Sequence, residues 1–129
     1  MTVLHHPSSA SLIRRQLLAD LAGTDGDPEF AADAAAVATE LVGNAVRHAR
    51  PLPGGVLTVD WRAQLGGLEI RVTDGGSPKT PLMRRVPPES ISGRGLAIVA
   101  TLAAQWGVAP DDRGRCVWAW LGQLTRAAS

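Results

Sequence analysis

The stretch over residues 28–49 constrains the fold most, because it reads as one long helix with half of its circumference apolar. At about 100° per residue, Phe30, Ala34, Val37, Ala38, Leu41, Val42, Ala45 and Val46 fill an arc of about 180°, with His48 just inside its edge. Such a face has to be covered by another layer of structure. Pro28 suits the first helical position, where its missing N–H would be unpaired anyway, and Pro51, Pro53 and Gly54-Gly55 stop the helix. Along the border of the apolar arc, Glu40, Asn44 and Arg47 fall in a stripe roughly 60° wide. A carboxylate, an amide and a guanidinium placed there can meet a ligand in a partly dry site, where charge interactions are stronger than in water. The same three residues also suit a solvated polar row at i,i+4 and i,i+7.

The rest of the chain supplies the covering layer. A first helix is expected over residues 9–21, where Ile13, Leu17 and Leu21 repeat every four residues beside Leu18. Ser8 and Ser9 are cap candidates for it. Residues 2–5 read as a short edge strand and residues 22–27 as a loop. Residues 56–62 and 68–74 read as strands, and in the second Leu68, Ile70 and Val72 alternate with Glu69, Arg71 and Thr73. A turn at Gly66-Gly67 would join them as a hairpin. Residues 77–92 carry Pro78, Pro81, Pro87 and Pro88, a density that defeats a helix and predicts a lid loop. A third helix is expected over residues 96–105, opened by Gly93-Arg94-Gly95 and burying Leu96, Val99, Leu102 and Ala103. Strands over residues 106–109 and 115–121, around a turn at residues 110–114, close the chain. This order predicts an α+β fold, a two-layer α/β sandwich with helices on one face of a mixed or antiparallel sheet, as a single domain over residues 1–129.

Charge and composition narrow the function. The formal net charge is +1, so no strong field argues for nucleic acid or a membrane surface. One cysteine, Cys116, rules out an intrachain disulfide. No stretch approaches the roughly 20 apolar residues of a membrane helix, and the first residues do not resemble a signal peptide. The expectation is a soluble cytoplasmic protein. The pair His5-His6 has no further ligand-type residue at metal-binding spacing nearby.

Two more stretches can carry chemistry. Asp74-Gly75-Gly76 ends a strand; an aspartate there can accept a hydrogen bond from an exocyclic amine, and glycine lets a flat ring approach the backbone. Alone, it is a turn. Gly93-Arg94-Gly95 opens a helix, where free N–H groups and the dipole favour phosphate oxygens. Alone, it is a flexible turn. The chain lacks a P-loop, a dinucleotide fingerprint and the eukaryotic-type kinase signatures. Ser77, His48 and Asp74 have no nucleophile elbow to make them a triad.

Together, Glu40-Leu41-Val42-Gly43-Asn44-Ala45-Val46-Arg47-His48-Ala49, Val72-Thr73-Asp74-Gly75-Gly76-Ser77-Pro78 and Ser92-Gly93-Arg94-Gly95-Leu96-Ala97-Ile98-Val99 resemble the three ATP-binding boxes of the gyrase, heat-shock chaperone, histidine kinase and MutL superfamily. Within it the short chain is most similar to the anti-sigma factor serine/threonine kinases and to small ATP-binding regulatory proteins of actinomycetes. The resemblance covers residues 8–122. It implies ATP and Mg²⁺ as cofactors, with Asn44 on the metal and Glu40 as general base on a protein serine or a water. Arg47 would face the phosphates, with His48 in the same box. Asp74 would hold the adenine amine and Gly76 would give the base room. Gly93, Arg94 and Gly95 would wrap the β- and γ-phosphates, with Leu96 following them. The implied partners are a sigma factor, an anti-sigma antagonist whose serine is phosphorylated, and a second copy of the chain. The short N-terminal strand departs from the pattern and weakens the case for that dimer. A second departure is Cys116, at about the point where the family often has a threonine supporting the adenine site. The competing reading is a nucleotide-responsive protein-binding module without kinase activity, and another is the detached ATP-binding half of a histidine kinase.

Overall fold

A computed structural model describes residues 1–22, 27–76 and 94–122. The expected lid over residues 77–92 and Gly93 lie outside the described residues. The elements are β1 (Thr2–Leu4), α1 (Ser9–Ala22), α2 (Pro28–His48), β2 (Val56–Gln64), β3 (Gly67–Asp74), α3 (Arg94–Leu102), β4 (Gln105–Asp111) and β5 (Gly114–Leu121). The strands form one sheet in the order β1-β2-β3-β5-β4, and every neighbouring pair is antiparallel. The fold is α+β, with the helices gathered on one face of that sheet.

The long helix forms as its sequence dictates. The Asp27 side chain accepts a hydrogen bond from the Glu29 amide at 3.0 Å, so the helix is capped one residue before Pro28. At the other end His5 Nε2 lies 2.9 Å from the Ala49 carbonyl, at the C-cap, and 3.2 Å from that of Ala45, which also accepts the Ala49 amide at 3.0 Å. The apolar arc of α2 is buried at Ala34, Val37, Ala38, Leu41, Val42 and Ala45. It meets Ile13 and Leu17 of α1, and Leu57, Val59, Ile70, Val72, Val117 and Ala119 of the sheet, in one core. Trp61 Nε1 donates to Asp20 at 2.9 Å and ties β2 to α1.

Several boundaries differ from the expectation. The hairpin turn is Leu65-Gly66, with φ of 53° and 76°, a two-residue turn whose twist matches the strands. Gly67 belongs to β3; a β-carbon there would collide with the Leu121 carbonyl and lie 2.7 Å from the Trp120 ring. The third helix ends at Leu102, short of residue 105, because the Ala104 amide already pairs with the Trp120 carbonyl at 2.9 Å. Pro110 sits in β4 rather than in the turn, which is tolerated because β4 is an edge strand.

Candidate functional site

The α2 helix packs against α1, α3, β3 and β5, so its polar border lies beside the elements that carry the other two motifs. Asn44 is buried at 2% exposure, and its Oδ1 has no hydrogen-bond partner among the described residues. A buried amide oxygen without a partner forfeits the free energy it had in water unless a ligand supplies the missing interaction. Glu40, one turn earlier, is half-buried. Arg47 is exposed, and its guanidinium lies back over Gly43, where a β-carbon would be 3.0 Å from Nη1. His48 is also exposed, although its angle places it inside the apolar arc. It is the last helical residue, past the point where the sheet covers that face.

The second motif is knitted to the exit of α2. The Gly75 amide donates to the Arg50 carbonyl at 2.7 Å, and the Arg50 amide donates to the Gly76 carbonyl at 3.0 Å. The approach is so close that a β-carbon on Gly75 would collide with the Pro51 carbonyl. Gly76 adopts φ of 88°, a left-handed conformation open to glycine, which turns its amide back onto Asp74 Oδ1 at 2.7 Å.

Asp74 itself is fully buried and faces Arg115. Arg115 Nε lies 3.1 Å from both carboxylate oxygens, and Arg115 is 2% exposed. Burial pushes the Asp74 carboxyl above its ordinary value, and the Arg115 charge and the Gly76 amide oppose that rise. Cys116 pairs with Thr73 and so points to the opposite face of the sheet, beside the Arg71 side chain. The residue of β5 beside the Asp74 carboxylate is therefore Arg115 and not Cys116. Sequence reasoning missed Arg115, and the signal was present: Val117, Ala119 and Leu121 alternate onto the helix-covered face, and the same period puts residue 115 there.

The third motif opens α3 at Arg94, with Gly95 and Leu96 in the first turn. The side chains of these residues and Gly93 are outside the described set. Val99 is buried, and Leu102 is partly buried against the core.

This sheet order, with a buried amide on the long helix and an aspartate turn after β3, coincides with a match to the family model of the histidine kinase-like ATPase domain over residues 5–121. The chain belongs to that family. Membership carries ATP binding as the expected function of the domain. No curated protein matches the sequence. The donor set of this histidine kinase-like ATPase domain fits a hard cation at one point: the unpartnered oxygen of Asn44 is the ligand type that Mg²⁺ takes. Among the described residues no cluster of three or more His, Cys, Asp or Glu could hold a metal without such help. Among them, too, no helix is long and apolar enough to cross a membrane.

Proposed function

We propose that this ATP-binding regulatory domain is a protein serine/threonine kinase. The observation that carries the reading is the Glu40-Asn44 pair: a half-buried carboxylate one helical turn from a buried amide oxygen that lacks a partner. Asn44 would hold Mg²⁺, which when bound with ATP neutralises phosphate charge. Glu40 accepts the proton of the attacking serine hydroxyl, Arg47 faces the phosphates, and the N-terminal turn of α3 offers its amides to them. The Asp74–Gly76 turn forms the base end of the site. Phosphoryl transfer asks mostly for positioning and charge neutralisation, and these groups supply both.

By resemblance, the acceptor is an anti-sigma antagonist domain and the second partner is a sigma factor held inactive. The alternative is a nucleotide-responsive binding module without kinase activity. The two readings separate at Glu40. In the kinase, Glu40→Ala binds ATP as the wild type does and loses ADP formation in the presence of a serine-bearing antagonist domain. Undiminished ADP formation by Glu40→Ala contradicts the base assignment and favours water or another group in that role.

A further inference from the structure

We propose that the cleft between Trp118 and Trp120, on the face of the sheet turned away from the helices, takes an arginine side chain of a partner protein. The proposal does not rest on the nucleotide reading above. β5 turns Val117, Ala119 and Leu121 into the core, so Cys116, Trp118 and Trp120 face the other way. Trp120 stands in one row with Gln105 of β4 and Glu69 of β3, and Trp118 stands two residues along the strand, opposite Gly107. The two rings lean apart. Trp118 lies over Gly107, where a β-carbon would be 3.0 Å from the ring, and Trp120 lies over Gly67, where a β-carbon would be 2.7 Å from it. Trp120 Nε1 donates to the Gln64 carbonyl at 2.8 Å, which fixes its ring. Between the rings is an open cleft of about 270 Å³, completed by Gln64, Leu65, Glu69 and Gln105.

The lining selects a flat cation. An indole face attracts a cation, and a guanidinium adds stacking because it is planar. Among the described residues Glu69 is the charged side chain that lines the cleft, and it is largely covered, at 16% exposure. A carboxylate there can accept a guanidinium fork. Its present neighbours leave it that capacity. Arg62 Nε lies 3.4 Å from Glu69 Oε1, a long contact from a side chain 62% exposed, and exposed pairs of this kind are worth little. Arg71 shares the face but lies beside Cys116. The rings are already held in place, so binding has little side-chain ordering to supply. Leu65 favours a protein as the source of the arginine. It stands 86% exposed at the turn between β2 and β3 and gives the cleft an apolar rim. A residue next to the arginine in a peptide covers that rim, and a free guanidine compound does not reach it.

The test titrates the full chain with the peptide acetyl-Leu-Arg-Leu-amide, followed by tryptophan fluorescence and by the indole N–H resonances of Trp118 and Trp120. Saturable binding is expected below about 5 mM. The same peptide with citrulline, the uncharged isostere of arginine, is expected to bind about tenfold more weakly, and so is the arginine peptide to Glu69→Gln. Arg62→Ala removes the internal competitor and is expected to bind the arginine peptide about twofold more tightly. Leu65→Asn, a change that the left-handed turn tolerates, is expected to weaken the peptide about threefold while binding of ethylguanidinium stays as it was. Circular dichroism checks that each variant is folded, and the citrulline arm needs no variant. No saturable binding overturns the proposal, as does equal binding of the citrulline peptide or undiminished binding by a folded Glu69→Gln. Binding that leaves both indole resonances unmoved overturns the place. Ethylguanidinium that binds as tightly as the peptide overturns the protein source.

Discussion

Two buried polar side chains are in opposite states. Asn44 on α2 has an oxygen with no partner among the described residues, whereas Asp74 after β3 has both oxygens engaged. The difference lies in their neighbours. Asn44 stands at the border of the apolar arc of a helix, where the backbone has used its own donors and no side chain among the described residues pairs with its oxygen. Asp74 ends a strand, and strand pairing sets Arg115 opposite it while the left-handed Gly76 folds an amide onto it. The Asn44 oxygen is left for a partner that the described residues do not supply, whereas the Asp74 carboxylate is taken up by the fold.

The comparison breaks most visibly at Arg115. Replacing it by threonine strips the counter-charge from a buried carboxylate and should cost about 3–5 kcal/mol at pH 7. The sign with pH follows from the Asp74 carboxyl, which burial raises and Arg115 lowers, so that losing Arg115 raises it further. The folded chain binds a proton that the unfolded chain has already released, so the variant loses stability as pH rises from about 4 through the raised value and stays low above it. Denaturant melts at pH 4 and pH 7 should show the gap to wild type closing in acid. A gap that is constant with pH means the carboxylate is not the group left unpaired.

Gly75→Ala attacks the joint between the two regions. The new β-carbon would meet the Pro51 carbonyl, and overpacking of this kind costs about 1–3 kcal/mol. Thermal unfolding measures it, and weaker ATP binding should accompany it. Asn44→Ala sharpens the contrast with the opposite sign. Removing an unpartnered acceptor from a helix interior should leave stability unchanged or raise it by about 1 kcal/mol, while nucleotide binding is lost. The smallest effect lies away from both groups. The Asp111 carboxyl is held below its ordinary value by the Arg113 amide at 3.0 Å and by the Arg113 charge. Asp111→Ala should cost under about 1 kcal/mol at pH 7. That cost should vanish as pH falls below the ordinary carboxylate range, where the wild-type group is protonated too.

Much of this was legible in the sequence, for physical reasons that differ by element. The period of α2 and the alternation in β3 put apolar side chains where the core now lies, so the layer order and the burial of Val37, Leu41, Ile70 and Val72 followed from pattern alone. The polar border was legible to the extent that Asn44 and Glu40 sit one turn apart on it. Its depth was not, since His48 falls in the apolar arc by angle yet is exposed where the sheet ends. The alternation of β5 put Arg115 on the helix-covered face, but its pairing with Asp74 was not legible, because it is fixed by the register of two residues 41 apart in the sequence. Gly67 was read as a turn because what requires glycine there, the Leu121 carbonyl and the Trp120 ring, belongs to a strand distant in the sequence.

The central claim is that Asn44 is the prepared group of an ATP site. The most direct measurement is calorimetric titration of wild type and Asn44→Ala with ATP, each with and without Mg²⁺. The account predicts saturable binding by wild type that requires Mg²⁺ and is lost in a fully folded Asn44→Ala. Binding that is the same without Mg²⁺, or that survives in Asn44→Ala, would contradict it.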